Sequence, residues 1–369
     1  MLGFNVSIAQ VVTTVGFCGL IELAATYIRR RRLEWPASGL LAGNGVAFIL
    51  RTGGTRHGDW LSLNGIQWFL LAGVIALGSK YVLRPGGRHV FNPANLGLVA
   101  CLLLVGSPLV YPQYLWWGPI GPAVGAAWLV IALGAMWVLG PLRMLPMGAA
   151  FLATLAVAVA GLAALGGCFD AVWRSDSVCG LNYWIGIAVS PEVAVFALFM
   201  MSDPRTAPSS QRGRLVFGVV TAVIAAALLA PQPTEYGVKV AILVALVVSL
   251  AAVAAMRGPR FESRGALVAA LLAVAMVLLV VGLASNEELI LIERGGRGPG
   301  GFGGHGQASD RDPRSESQVD QLAAAPARDP AHRAGPTVLD ALLPVEVLHD
   351  GPGREPRAGK HPRRRPRAA

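Results

Sequence analysis

Charge is what this chain has least of. Asp, Glu, Lys and Arg make up 14% of its 369 residues, against 54% apolar residues, and a chain with that balance cannot clothe a water-soluble fold. Histidine is thin as well: His57 and His89 precede the C-terminal tail, His305, His332, His349 and His361 fall within it, and none pairs with another four residues away on a helix. That excludes zinc-protease chemistry. No phosphate-binding loop, no dinucleotide-binding glycine fingerprint after a strand and no nucleophile–histidine–acid set is present either, so no catalytic residue is assigned. The first apolar run, 6–28, also lacks a basic leader and ends in Arg29 to Arg32, which reads as a signal-anchor helix and not as a cleaved peptide.

What the chain has is apolar runs. Ten are readable, near 6–28, 37–50, 63–83, 94–110, 118–140, 144–166, 183–201, 213–230, 237–256 and 265–284. A straight spanning helix takes ~20 residues, so the 37–50 run, with Gly-Asn-Gly at its centre, is expected to be tilted, broken or re-entrant. The predicted class is all-α: a polytopic membrane protein of about ten transmembrane helices over 1–290. From 291 to 369 the composition turns to Gly, Pro, Arg, Asp and Ala, which predicts a disordered tail.

Two stretches interrupt the apolar pattern. Arg84 to Leu98 (RPGGRHVFNPANLGL) and Ser190 to Pro208 (SPEVAVFALFMMSDPRTAP) place proline and polar residues where a helix would otherwise cross. Hydrocarbon does not tolerate unpaired backbone, so such segments must be buried in protein or line a polar cavity. Interruptions in both halves of a chain point to a transporter-like core built from internal repeats.

The net charge of +10 is assigned to membrane orientation and not to nucleic acid. With the N-terminus outside the plasma membrane, Arg29 to Arg32, Lys80, Arg84, Arg88, Arg143, Arg205, Arg212, Arg214, Arg257, Arg260 and Arg264 all lie inside. Only Arg51, Arg56 and Arg174 then occupy short outer loops, beside an aromatic belt of Tyr111, Tyr114, Trp116 and Trp117. Cys18 and Cys101 fall within apolar runs, while Cys168 and Cys179 flank an outer loop and are disulfide candidates there. That loop has no histidine, and no metal site is assigned.

The order SGLLAG, K-Y-x-x-R-x-G-G-R-H-x-FNPANLGL, an outer Y-P-Q turn, GPIG and SPEVAVFALFMMSDPRTAP followed by RGRLVFG resembles the RnfD/NqrB family of membrane proteins from the Rnf and Nqr complexes, over about 22–255. The details GLLAGNGVAFILRTGGTRHGDW, YLWWGP and APQPTEYGVKVA look closest to its UnbU-type branch, the membrane proteins of enediyne biosynthesis in actinobacteria. The resemblance implies a polytopic fold with inverted repeats and a place in an ion-motive complex that passes electrons through flavins, alongside further membrane or redox subunits. An alternative is a transporter or resistance component for a natural product, and another is a structural assembly subunit. One departure bears on the cofactor. The S-G-A-T motif that carries covalent FMN in the family is missing, because 111–119 (YPQYLWWGP) holds no serine or threonine to esterify. A noncovalent flavin remains open.

Asn92, Pro93 and Asn95 in the first interruption, with Asp203 and Thr206 in the second, are the candidate cofactor-binding residues, since amides offer both donors and acceptors to an ion or a ring edge. Asp203 has a competing role as a turn cap. Glu192 and Glu22 are the ion-pathway candidates: a carboxylate inside a span is costly enough to mark function. For Glu192 the other reading is a helix that begins at Ser190 beside a wet loop, and for Glu22 it is structural pairing. Arg88 and His89 are candidates for contact with an anion or a partner protein. Lys239, near a helix end, is expected to snorkel outward and is given no role.

Overall fold

A computed structural model describes residues 5–56, 58–84, 89–107, 109–113, 121–172, 174, 176–257 and 264–284. Arg88, Tyr114 to Trp117 and the 291–369 tail lie outside them. The helices are α1 (Ile8–Arg30), α2 (Ala37–Ile49), α3 (Ile66–Val82), α4 (Pro93–Val105), α5 (Pro122–Leu139), α6 (Leu145–Ala164), α7 (Gly180–Ala188), α8 (Pro191–Val195), α9 (Gln211–Leu229), α10 (Glu235–Arg257) and α11 (Arg264–Ala284). Two short antiparallel ladders join loop ends. In one, β1 (Leu50–Thr52) pairs with β2 (Val110–Pro112), with Arg51 opposite Tyr111. In the other, β3 (Cys168–Phe169) pairs with β4 (Val178–Cys179), and Cys168 and Cys179 are bonded across it.

Each predicted apolar run coincides with helix, but six segments among the described residues are long and apolar enough to cross a membrane: α1, α5, α6, α7 with α8 and the turn that follows, α9, and α10. Shorter apolar helices occupy Ala37–Ile49, Ile66–Val82 and Pro93–Val105, and α11, 21 residues long, is described with its side chains over Leu271–Gly282. Length and composition thus support six spans among the described residues, and several of the other apolar helices are short. The shortening has local causes. Asn92 caps α4 with Pro93 at its first turn, so that helix starts at the FNP break, and Gly106 with φ 71° ends it.

Packing relies on small residues where backbones approach. A side chain on Gly97 would strike the Ala72 carbonyl, so α4 lies directly on α3; one on Gly218 would strike the Met147 carbonyl, so α9 lies equally close to α6. The bundle is organised around α10, 72% of whose apolar window is buried, against 17% for α5 at the edge. Large side chains such as Leu129, Val130, Trp137 and Leu133 on α5 face outward, as a lipid-facing surface requires. Polar side chains then tie α10 to its neighbours through helix carbonyls: Tyr236 donates to Leu102 O on α4 at 2.6 Å, and Asn95 Nδ2 donates to Leu243 O at 3.0 Å.

Candidate functional site

The second interruption is a helix that stops and restarts. α7 ends at Ala188, Ser190 caps α8 with its hydroxyl on the Glu192 amide, and Pro191 opens the new helix where a missing N–H costs nothing. α8 then widens into a π-helical turn, Phe196–Met200. Such a turn shifts the hydrogen-bond register and leaves carbonyls to be satisfied from elsewhere. Asn92 supplies one donor: its Nδ2 reaches Met200 O at 3.0 Å, while its Oδ1 accepts from the Asn95 amide at 3.1 Å.

The interrupted segments of the two halves therefore touch. Beyond Met200, Asp203 Oδ2 stands 3.7 Å from His89 Nε2, and Asp203 Oδ1 accepts from the Arg205 amide at 2.9 Å. Burial pushes the Asp203 carboxyl up, but the facing His89 imidazole and the Arg205 N–H outweigh it and hold the group below the usual range. Thr206 turns its hydroxyl to the Asp203 carbonyl. Asp203 caps the turn that precedes α9, while α9 itself is capped by Ser210. Most of the polar capacity of Asn92, Asn95, Asp203 and Thr206 is thus spent on internal bonds, and Pro93 serves as the first residue of α4. What remains is Asn95 Oδ1, buried and without a hydrogen-bond partner among the described residues.

Charge gathers elsewhere. Lys239 does not snorkel: it is 6% exposed and turns inward from α10. Its Nζ lies 2.9 Å from Glu192 Oε2 and 3.1 Å from Glu235 Oε1, and it donates to the Gln113 carbonyl at the end of β2. Glu235, the first residue of α10 and 1% exposed, is within ion-pair distance of Nζ but off the line of a hydrogen bond; neither of its oxygens has a hydrogen-bond partner among the described residues. Both carboxylates sit in the first turn of a helix, α8 or α10, where the positive end of the peptide dipoles favours them. Glu192, Lys239 and Gln113 line a cavity of about 440 Å³, walled otherwise by apolar side chains that include Phe48, Ile49, Val195, Phe196 and Ile242.

Sequence reasoning selects Glu192 but misses Glu235, Lys239 and Gln113. A signal is available in Glu235 and Lys239, four apart at the start of an otherwise apolar run, a spacing that puts both on one helix face. Glu22 takes the structural course. It accepts from Lys80 Nζ at 2.5 Å and Tyr81 Oη at 2.8 Å, with Lys80 also on Ser38 Oγ at 2.9 Å, and so ties α1, α2 and α3 together. Among the described residues no group of three or more His, Cys, Asp or Glu side chains is arranged to hold a metal. Compared with models of known protein families and with curated proteins, the chain matches none.

Proposed function

We propose that this chain is a cation-translocating membrane protein, as its resemblance to the RnfD/NqrB family implies, and that Glu192, Lys239 and Glu235 form its charge-carrying centre. The observation that carries this reading is an ion-pair cluster in an apolar bundle: Glu192 and the buried Lys239 line a cavity of about 440 Å³, and the buried Glu235 pairs with the same ammonium. Moving such groups into low dielectric is expensive, and neutral residues of similar volume would hold helices together as well. On this reading the shorter helices complete about ten spans in two inverted repeats, with the N-terminus outside the plasma membrane.

The test is flux in vesicles. Purified protein reconstituted in liposomes should pass a cation current under an imposed potential, and Glu192→Gln should abolish it while Glu22→Gln leaves it. A current unchanged by Glu192→Gln overturns the assignment. The cavity supports a second reading. Its volume and apolar walls suit a noncovalent flavin ring or the hydrophobic natural product of an enediyne-type pathway. Visible absorbance of the detergent-purified protein near the flavin bands, or copurifying redox proteins, favours the flavin; a colourless preparation counts against it.

A further inference from the structure

Resting on the cation-translocation reading, we propose that the Lys239 ammonium is the built-in occupant of a cation seat, so that the centre exchanges a proton and excludes Na⁺ and K⁺. The seat is made of oxygen. A backbone carbonyl from Gln113 and carboxylates from Glu192 and Glu235 converge on Nζ from three elements, the end of β2, α8 and α10. Carbonyl and carboxylate oxygens in this arrangement replace the hydration shell of a hard cation, and here they surround an ammonium with three N–H bonds instead.

The same shell still holds more acceptors than the ammonium uses. Among the described residues neither Glu235 oxygen finds a hydrogen-bond donor, nor does Gln113 Oε1, in a residue 3% exposed that lines the cavity. Gln113 Nε2 is engaged with Leu50 O, which fixes the amide so that its oxygen is the atom left over. Such an excess of buried acceptors calls for a further positive species. A metal ion added there would need an oxygen shell of its own, and one oxygen of each carboxylate, Glu192 Oε2 and Glu235 Oε1, already faces Nζ at 2.9 and 3.1 Å. The two like charges would be neighbours. A proton needs no shell. It adds to a carboxylate oxygen as one O–H bond, and Glu192, which borders the cavity, is the carboxylate it reaches first.

The other ionisable groups around this end of α10 are few. Arg51 on β1 lies over the Tyr111 ring at 4.8 Å, and Tyr111 meets Tyr236 edge-on. Asp170, beyond β3, accepts the Glu235 amide through its backbone carbonyl and the Ser177 hydroxyl through its carboxylate. Cys101 on α4 donates to Trp68 O. Arg212 and Arg214 stand in the first turns of α9, at the end away from the loop that leads into α10.

The experiment is thermal unfolding of the full chain in detergent, in NaCl, KCl or choline chloride at equal ionic strength. The wild type should unfold at one temperature in all three salts. Lys239→Ala vacates the seat, and its midpoint should rise with NaCl over choline, saturably, by roughly 3 °C or more. Adding Glu192→Gln to Lys239→Ala should remove that rise. Saturable stabilisation of the wild type by Na⁺ or K⁺ overturns the proposal, and so does a monodisperse Lys239→Ala protein indifferent to the cation. If Lys239→Ala does not fold, Lys239→Gln takes its place. If neither folds, wild-type vesicles decide: labelled Na⁺ uptake overturns the proposal, and acidification under a pH gradient without Na⁺ uptake supports it. A wild type with no flux of any cation refutes the translocation reading, whereas the salt comparison reads the seat itself.

Discussion

Asn92 makes two bonds with different jobs, and substitutions can separate them. Its Oδ1 caps α4 and its Nδ2 bridges to the Met200 carbonyl across the two halves. Serine keeps a capping oxygen but has no reach to Met200; alanine loses both. Leaving a buried carbonyl without its donor costs about 1–3 kcal/mol, and losing an N-cap side chain costs about 0.5–2 kcal/mol. At roughly 3 °C per kcal/mol for a chain of this size, Asn92→Ser should lower the unfolding midpoint by roughly 3–9 °C and Asn92→Ala by roughly 2–6 °C more. The free, buried Cys18 and Cys101 provide the assay, because a thiol-reactive dye reports their exposure as the detergent-solubilised bundle opens. An Asn92→Ser midpoint equal to wild type would show that the Met200 bridge contributes nothing, and the claim that this side chain locks the halves together would fall.

Lys239→Met leaves the buried Glu235 and the partly buried Glu192 facing no ammonium and should cost about 3–5 kcal/mol, part of which Glu235→Gln restores when added to it; midpoints of the single and double variants check this. The Asp203 carboxyl titrates lower in the folded state than in the unfolded one, so its contribution is present at neutral pH and fades as pH falls through the folded value. Asp203→Asn should therefore be less stable than wild type at pH 7 and should converge with it from about pH 4 downward, as midpoints measured across that range would show. The bond between Cys168 and Cys179 closes a loop with a sequence separation of 11; reducing it should lower stability by about 2–3 kcal/mol. After reduction, an impermeant maleimide should label these cysteines in intact cells if the loop faces outward.

The interruptions are legible in the sequence because proline and asparagine cannot sit in a lipid-facing helix without consequence. FNP is a capped helix start, and SPE is a second one inside a span. The partners across the gap are not legible. Nothing in a sequence says that Nδ2 of Asn92 will find the carbonyl of a π-helical turn more than a hundred residues away, since a π turn is a register shift with no residue signature of its own. Lys239 misleads for a related reason. A lysine near a helix end usually extends toward the headgroups, and only the approach of β2 and α8, both set by tertiary packing, turns this one inward.

The two broken regions thus divide the labour that the sequence assigns to a single centre. Around Asn92 and Asn95 the amides meet backbone carbonyls of Met200 and Leu243, neutral groups whose pairing fixes helices in place. Around Glu192 and Glu235 the chain instead creates helix N-termini beside a cavity and fills them with carboxylates. A restart such as α8 forgoes backbone bonds that an unbroken helix would keep, and hydrocarbon makes that forfeit large. The return is a positive dipole end within the Gly180–Met200 segment, beside the cavity that Glu192 lines. That is a reason to break a helix for the sake of charge, and on the proposed reading Glu192, Lys239 and Glu235 are the charge-carrying centre, with the asparagines as its frame.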